Sequence, residues 1–317
     1  MYNAAIYAAL IAFLINLILS PILIPFLSRL KFGQYVRDDG PKSHLKKAGT
    51  PTMGGIIILI SIILTSLLFL KDNMDGIAVL FVTVGFGIIG FVDDFIKVVM
   101  KRSLGLRAYQ KIIAQLIITV FFGYYLLNLA NIGTKIIIPF SRGIEIDLGL
   151  WFIPFLIFAM LGTVNAVNLT DGLDGLASSV TVLIATFFTI VSWGENSSIL
   201  PIGAAVVGSL LGFLLFNSHP AKVFMGDTGS LALGGFVVST AFILRMPLFI
   251  IIVGLIYLLE ALSVMLQVGY FKMTRKRIFK MAPIHHHFEL SGWTETKVVS
   301  VFCIVTAIMC LIGLLGV

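Results

Sequence analysis

Apolar runs of about twenty residues recur along the whole chain, and each is long enough for a helix to cross the roughly 30 Å hydrocarbon core of a bilayer. They predict an all-α integral membrane protein with ten transmembrane helices, built as a single polytopic membrane domain over residues 1–317. The composition agrees, because 59% hydrophobic against 12% charged residues excludes an ordinary soluble protein. With ends uncertain by about 2 to 4 residues, the runs lie at 4–27, 54–70, 77–96, 112–130, 150–167, 175–193, 199–216, 229–245, 247–270 and 298–316.

Basic residues are distributed unevenly between the two sides that ten spans would create. Most of the 22 Lys and Arg residues fall in alternate loops, and only Lys71, Lys135, Arg142 and Arg245 fall in the others. Because cytoplasmic loops are enriched in Lys and Arg, both termini are predicted to lie outside. This bias accounts for most of the charge, although a basic face would also attract anionic lipids or phosphates. Charge alone does not decide between the two interpretations.

Acidic residues and histidines indicate that the cytoplasmic face is the functional one. The outside segment 135–149 alternates apolar and polar residues, which predicts a small periplasmic β-hairpin. The cytoplasmic loops and the adjoining span ends hold most acidic residues and every histidine, so we expect a cytoplasmic-face active-site cleft. A transporter or channel would instead carry ionisable residues near the middle of its spans, where Glu260 is the main example.

Two carboxylates stand at the inner end of the third span. Asp93 and Asp94 are followed by Lys97. Carboxylates at a membrane boundary are costly unless they are paired, solvated or bound to a metal, so a functional role is one interpretation. The other is an ion pair between Asp93 and Lys97 at helical spacing, which would stabilise the helix end.

The loop between the fifth and sixth spans combines glycines with Asn168, Asp171 and Asp174, and Asn165 lies one turn earlier. Glycines let a ligand approach the backbone closely, and Asn and Asp side chains offer hydrogen bonds to a base or a ribose. A tight turn is the alternative, since the same residue types are favoured in turns.

The segment 217–230, between the seventh and eighth spans, contains Asn217, Phe224 and Asp227. Asp227 could hold Mg²⁺, which prefers one or two carboxylates together with substrate phosphate oxygens. An N-cap role at the start of a helix is the alternative. Phe224 could stack on a nucleobase.

Three adjacent histidines, His285, His286 and His287, lie in the last cytoplasmic loop after several basic residues. Three neighbours cannot easily all face one zinc ion. Binding of a diphosphate or of an acidic sugar substituent is one interpretation, and a purely structural loop is the other. All four clusters fall on one side of an orientation that was derived independently from Lys and Arg. Carboxylates for a metal, amides for a base and cations for phosphates together suit phosphoryl transfer.

The residues in these clusters resemble those of the polyprenyl-phosphate N-acetylhexosamine-1-phosphate transferases over essentially the whole chain. The matching segments are 41–44, 49–55, the Asp93–Asp94 pair, 168–175 and 224–230. The histidine triplet within 283–289 is similar to that of the branch that transfers phospho-N-acetylmuramoyl-pentapeptide and disfavours relatives that use UDP-GlcNAc.

The resemblance implies a Mg²⁺-dependent glycosyl-1-phosphate transferase of the bacterial cytoplasmic (inner) membrane. It would move phospho-MurNAc-pentapeptide from UDP-MurNAc-pentapeptide to undecaprenyl phosphate, giving undecaprenyl-pyrophosphoryl-MurNAc-pentapeptide (lipid I) and UMP. This is the first membrane step of peptidoglycan synthesis, and therefore part of cell wall biogenesis, cell shape and cell division. The resemblance also implies a multi-pass chain in contact with membrane lipid, a homodimer and no nucleic-acid partner.

Site residues follow from the resemblance position by position. Asp93, Asp94 and Asp227 would be catalytic, with Asp227 as the Mg²⁺ ligand and Asp93 accepting a proton from, or orienting, the lipid phosphate. The substrate contacts would be Lys46, Lys97 and Lys101 on phosphates, Asn168, Asp171, Asp174, Asn217 and Phe224 around the nucleoside and sugar, and Gln267, His285, His286 and His287 on the opposite wall.

Overall fold

The computed structural model describes residues 2–29, 47, 49–71, 73–100, 105–130 and 132–317. Within these residues the chain forms twelve α-helices and one two-stranded sheet. The helices are α1 (Tyr2–Arg29), α2 (Gly55–Phe69), α3 (Met74–Val99), α4 (Ala108–Asn128), α5 (Phe152–Thr170), α6 (Leu176–Gly194), α7 (Leu200–Asn217), α8 (Gly226–Ile243), α9 (Phe249–Val253), α10 (Leu255–Thr274), α11 (Ile284–Leu290) and α12 (Glu295–Leu314). The strands are β1 (Lys135–Ile137) and β2 (Glu145–Asp147).

The predicted all-α membrane fold is confirmed. Nine helices of the described chain are long and apolar enough to cross a membrane, and α2, with 15 residues, is a shorter apolar helix. One predicted span differs, because the run at 247–270 divides into α9 and α10 at Gly254. Glycine is a weak helix former, which favours a break at this position. The last predicted cytoplasmic loop also contains a short helix, α11.

Helix α8 runs through the centre of the bundle. Every residue from Thr228 to Ile243 is buried, and α3, α5, α2 and α6 pack around it. A helix that is apolar on all sides is expected to be surrounded by other helices. The first turn of α8 therefore lies where the ends of several helices meet.

Helix α3 approaches α8 most closely at Gly90. A side chain at this position would collide with the backbone carbonyl of Asp227. Small residues let helix backbones approach closely inside membranes. Because Gly90 lies one turn before Asp94, this contact brings the end of α3 against the first turn of α8.

The predicted hairpin is confirmed by an antiparallel pairing of β1 and β2, with Lys135 opposite Asp147. It lies across the C-terminal ends of two helices. The Ile137 N–H donates to the carbonyl of Arg245, just after α8, and the Phe140 N–H donates to the carbonyl of Gly316, just after α12. The hairpin and the first turn of α8 are therefore at opposite ends of a helix about 27 Å long.

Candidate active site

Three carboxylates converge where the end of α3 meets the start of α8. Asp93, Asp94 and Asp227 each offer an oxygen within 4.8 Å of the others. We call these residues the aspartate triad. Two of them are neighbours on a helix and point about 100° apart, so their surroundings differ.

Asp94 caps the N-terminus of α8. Its carboxylate accepts hydrogen bonds from the Asp227 N–H at 3.1 Å and from the Thr228 N–H and hydroxyl at 2.9 Å and 2.6 Å. The first N–H groups of a helix have no partner inside the helix, and a negative charge is favourable at that end. The sequence offered Asp227 as the cap, but the N-cap position is Met225 and no side chain local to the helix caps it. The capping carboxylate comes instead from α3.

Asp93 is buried at the inner side of the end of α3. Its Oδ1 accepts the Leu106 N–H at 2.8 Å, and its Oδ2 forms an ion pair with the Lys97 Nζ at 2.5 Å. The ion pair proposed from helical spacing is therefore present. Because Lys97 also lies 3.2 Å from Asp227 Oδ2, one ammonium group joins two members of the aspartate triad.

Asp227 is surrounded by donors. The Lys111 Nζ lies 2.7 Å from its Oδ2, and the Asn168 side chain donates to its Oδ1 at 2.9 Å. Asn168 also donates to the Ser230 hydroxyl at 2.8 Å. Sequence reasoning counted Lys111 only as a cytoplasmic charge. Its position inside the first turn of an apolar helix was the signal that could have singled it out.

Asn168 begins the site loop, by which we mean residues 168–175, that is, the last residues of α5 and the connection to α6. Asp171 lies in this loop just outside the spanning helix. Burial, together with the nearby carboxylates of Asp227 and Asp94, raises the pKa of Asp171 to about 8. The negative potential of the aspartate triad is thus felt at the loop, even though two lysines lie beside the triad.

A second group of carboxylates holds the other end of the site loop. The Lys47 Nζ lies 2.6 Å from Asp174 and 2.5 Å from Glu295, and the His219 ring lies 3.0 Å from Asp174. Glu295 also accepts the Asp174 N–H at 2.7 Å. We call Lys47, Asp174, His219 and Glu295 the loop clamp.

The pKa of Asp174 is shifted in the opposite direction to that of Asp171. Burial by itself would raise the pKa of Asp174, but the hydrogen bonds from Lys47, the Ala221 N–H and His219 outweigh it, and the pKa falls below its usual value. Asp174 is therefore ionised and paired within the protein.

The donor set of the aspartate triad fits a hard divalent cation, since carboxylate oxygens are the ligands that Mg²⁺ prefers. Asp94 is the least suited member, because a cation could not replace its backbone N–H donors without opening the start of α8. Asp227 and one oxygen of Asp93 are paired mainly with lysine side chains, not with backbone N–H groups. The loop clamp has a similar spacing of ligand atoms, but Lys47 already supplies a cation between Asp174 and Glu295.

Comparison with known proteins agrees with this site. Residues 76–245 match Glycosyl transferase family 4, and residues 47–59 match Phospho-N-acetylmuramoyl-pentapeptide-transferase signature 1. The chain is 58% identical over 313 residues to the phospho-N-acetylmuramoyl-pentapeptide-transferase of Clostridium kluyveri, covering 98% of each chain. Proteins of that name from Clostridium novyi and Caldicellulosiruptor bescii are 55% and 54% identical, covering 98% of this chain and 96% of theirs. The chain belongs to the phospho-N-acetylmuramoyl-pentapeptide-transferase family.

Membership of this family, together with nine long apolar helices in the described part of the chain, identifies a multi-pass enzyme of the bacterial inner membrane. The signature begins at Lys47 of the loop clamp, and the larger family match includes the aspartate triad and the site loop. Glu295, which completes the clamp, lies outside both segments. Its position in the first turn of α12 indicated only a favourable helix terminus.

Two other predicted ligand contacts lie beside the clamp. The ring of Phe224 is partly exposed, with the Lys47 Nζ 6.0 Å from its centroid. Asn217 is buried, and both ends of its amide are used, because it accepts from the Ser178 hydroxyl at 2.8 Å and donates to the Val223 carbonyl at 2.9 Å. A contact between Asn217 and substrate stays a prediction.

Gln267 and the three histidines lie on α10 and α11. Gln267 accepts the Phe279 N–H at 2.9 Å, and His287 accepts the Lys280 N–H at 3.1 Å, so both hold the loop between these helices. His286 pairs with Glu289 at 2.8 Å. The buried His285 contacts the site loop itself. The predicted phosphate contacts Lys46 and Lys101 lie outside the described residues.

Proposed function

We propose that the protein transfers phospho-MurNAc-pentapeptide from UDP-MurNAc-pentapeptide to undecaprenyl phosphate, giving lipid I and UMP. In the net reaction an oxygen of the lipid phosphate forms a bond to the phosphorus of the sugar phosphate, and the bond from that phosphorus to the oxygen of UMP breaks. Relatives that bear the name of this activity match the chain over nearly its whole length.

The observation that carries the proposal is the aspartate triad with Lys97 and Lys111 at one end of the bundle. Phosphoryl transfer requires little covalent chemistry from the protein, and depends on positioning and on neutralising charge at the phosphates. The two ammonium groups that meet at Asp227 would contact a bound diphosphate. A transporter would need no such convergence of acids, lysines and an amide at one end.

We propose Mg²⁺ as the cofactor, held by Asp227. When bound, the ion would supply charge stabilisation at the phosphates of the donor. Asn168 orients Asp227 by donating to its Oδ1, and Asp94 fixes the backbone that carries it by capping α8. Lys97 and Lys111 would then turn from the carboxylates toward the substrate phosphates.

Asp93 is proposed to accept a proton from the lipid phosphate or to orient it. The second pKa of a phosphate monoester is roughly 6, so the dianion needs no base. If Asp93 is a base, the variant Asp93→Asn should lose most turnover near pH 6 and recover part of it by about pH 9. An equally large loss at every pH would leave Asp93 a positioning or electrostatic residue.

The donor pocket is proposed to lie between the site loop and α11. Phe224 would stack on the base, and Asn217, Asp171, Asp174 and Gln267 would line the nucleoside and sugar. His286 and His287 would recognise the sugar phosphate, so replacing both with Ala should weaken binding of the muramoyl donor more than that of free UMP. An equal loss for both ligands would remove the histidines from sugar-phosphate recognition.

The deciding experiment is release of UMP from labelled UDP-MurNAc-pentapeptide by the purified protein. Release should require both undecaprenyl phosphate and Mg²⁺, and EDTA should abolish it. UDP-GlcNAc serves as the competing donor. Release from UDP-GlcNAc but not from the muramoyl donor would contradict the proposed substrate. The proposed homodimer is tested separately by light scattering of the protein in detergent.

A further inference from the structure

A buried acid and a buried histidine face each other beside the site loop. Glu260 lies inside α10 with no exposed surface, and His285 on α11 is 1% exposed. The Glu260 Oε2 lies 3.0 Å from the His285 Nδ1. Ionisable groups within a span are costly and seldom present without a function. Neither residue contacts the aspartate triad directly, so the chemistry at the triad does not account for the pair.

The hydrogen bond at Nδ1 fixes the orientation of the imidazole ring. Whichever of the two groups carries the shared proton, a hydrogen bond at Nδ1 leaves Nε2 on the opposite edge of the ring. The His285 Nε2 and the Glu260 Oε1 are both buried and have no hydrogen-bond partner among the described residues. An apolar pair would fill this space without leaving polar atoms unpaired.

The edge that carries Nε2 lies against Gly172, in the middle of the site loop. A Cβ at Gly172 would fall well inside van der Waals contact with the Nε2 and Cε1 of His285. The loop is fixed at one end by Asn168 on Asp227, and at the other by Glu295 on the Asp174 N–H. The imidazole supports the stretch between these two points.

We propose that Glu260 and His285 form a positioning pair that sets the site loop for catalysis. Glu260 holds the imidazole in one orientation, and the imidazole edge holds Gly172 and, through the loop, Asn168 beside Asp227. Both act through the loop and are therefore positioning residues. The inference deepens the proposed function, on which its kinetic readout rests.

The contact between His285 and Gly172 can be tested by a double-mutant cycle with UMP release as the readout. In the native background, Gly172→Ala forces the loop away from the ring and should lower kcat/KM for the nucleotide donor by about 10- to 100-fold. His285→Asn keeps a donor for Glu260 but removes the imidazole edge. In that background the added methyl group occupies the vacated space, so Gly172→Ala should cost little or restore activity.

Gly162→Ala on α5 is the matched control, because a Cβ there meets no atom within 4 Å. It should leave kcat/KM unchanged in both backgrounds. A Gly172→Ala penalty of the same size in the native and in the His285→Asn background would overturn the proposal. Thermal midpoints of all variants establish that each one folds.

The role of Glu260 is tested by two substitutions. Glu260→Gln keeps an acceptor for Nδ1 and should retain most activity, whereas Glu260→Leu removes it and should match the loss in His285→Asn. The loss should appear in kcat/KM for the nucleotide donor while KM for undecaprenyl phosphate stays unchanged. An equal rise in KM for the nucleotide donor and for undecaprenyl phosphate would contradict a role through the site loop.

Failure of the proposed function would be distinguishable. If the native protein releases no UMP from the muramoyl donor, the function proposal fails, and the contact is then judged from thermal midpoints of the same four proteins in the cycle. Non-additive shifts would support the contact between His285 and the loop. Additive shifts would overturn it.

Discussion

The aspartate triad and the loop clamp have a similar spacing of ligand atoms, but their carboxylates are neutralised to different extents by the groups around them. In the clamp, the Lys47 ammonium group lies between two carboxylates, and a backbone N–H group also donates a hydrogen bond to each carboxylate. In the triad, three carboxylates face two lysines and keep a negative potential. The pKa values of the site loop differ in the same sense, because burial and the triad carboxylates raise that of Asp171 to about 8, while the donors of the clamp lower that of Asp174.

Close carboxylates do not by themselves make a metal site. What matters is how far the protein's own donors already satisfy them. The clamp joins segments separated by up to 248 positions, so its natural role is to fix the site loop. The triad retains the charge that a cation and a diphosphate would complement.

The largest effect is expected for Asp227→Asn. The amide removes the charge that would hold Mg²⁺, while Asp94 continues to cap α8, so the fold should persist. We expect a loss of UMP release on the order of 100-fold or more, with a nearly unchanged thermal midpoint. Glu195→Gln, at an exposed position, is the control. Full activity in Asp227→Asn would assign the triad to structure alone.

A smaller and different effect is expected for Glu295→Ala in the loop clamp. This change leaves the Asp174 N–H without its acceptor and removes one partner of Lys47, which should destabilise the fold by about 1 to 3 kcal/mol. The KM for the nucleotide donor should rise more than kcat falls, because the loop is displaced while the triad is intact. Thermal unfolding and steady-state kinetics measure the two effects, with Glu195→Ala as the control. A pure kcat defect would contradict the clamp assignment.

The opposite pKa shifts in the site loop predict opposite pH dependence for two matched variants. The pKa of Asp171 is raised in the folded protein, so the folded state binds more protons between the unfolded value of 3.8 and about 8, and native stability falls as pH rises through that window. The Asp171→Asn variant has no carboxyl group to deprotonate at this position, so it does not lose this stability. Its thermal midpoint, relative to native protein in EDTA, should therefore be higher at pH 8 than at pH 5.

Asp174→Asn should behave differently under the same conditions. The folded pKa of Asp174 lies below 3.8, so its contribution is fully present above the unfolded pKa and is lost only as pH falls through the folded value. The variant should be less stable than native protein at both pH 5 and pH 8. A pH-independent offset for Asp171→Asn would contradict the raised pKa of Asp171.

The smallest expected effect concerns sidedness. Ile144 in the hairpin and Ile278 before α11 are 60% and 47% exposed, which makes them a matched pair for cysteine substitution. An impermeant thiol reagent applied from outside should label Ile144→Cys and spare Ile278→Cys, with little change in activity. Reversed labelling would place both carboxylate groups on the outer face and contradict the proposed use of a cytoplasmic nucleotide.

Much of the fold could be predicted because membrane insertion depends on local composition. The spans and the hairpin followed from the hydrophobic pattern. The break at Gly254 and the short helix α11 were missed, because one glycine within an apolar run is often tolerated and a seven-residue helix leaves little periodicity.

The candidate site was predicted in part. Asp93, Asp227 and Asn168 were singled out by residue type, and the structure brings them together. Lys111 and Glu295 were missed, because a basic residue at a cytoplasmic helix start and an acid in a first helical turn both have ordinary explanations. Their partners lie 116 and 121 positions away, so only packing distinguishes them from such residues.

That the chain spans a membrane could be predicted from the sequence alone, because the ability to lie in lipid is a property of each twenty-residue run. The sequence also placed the reactive residue types at one end of the spans. The tertiary structure alone decided which acid caps α8, which acids retain charge and which histidine reaches the site loop. Asp94 meets Thr228 across 134 positions because Gly90 lets two helix backbones touch, and such a contact leaves no local pattern in the sequence.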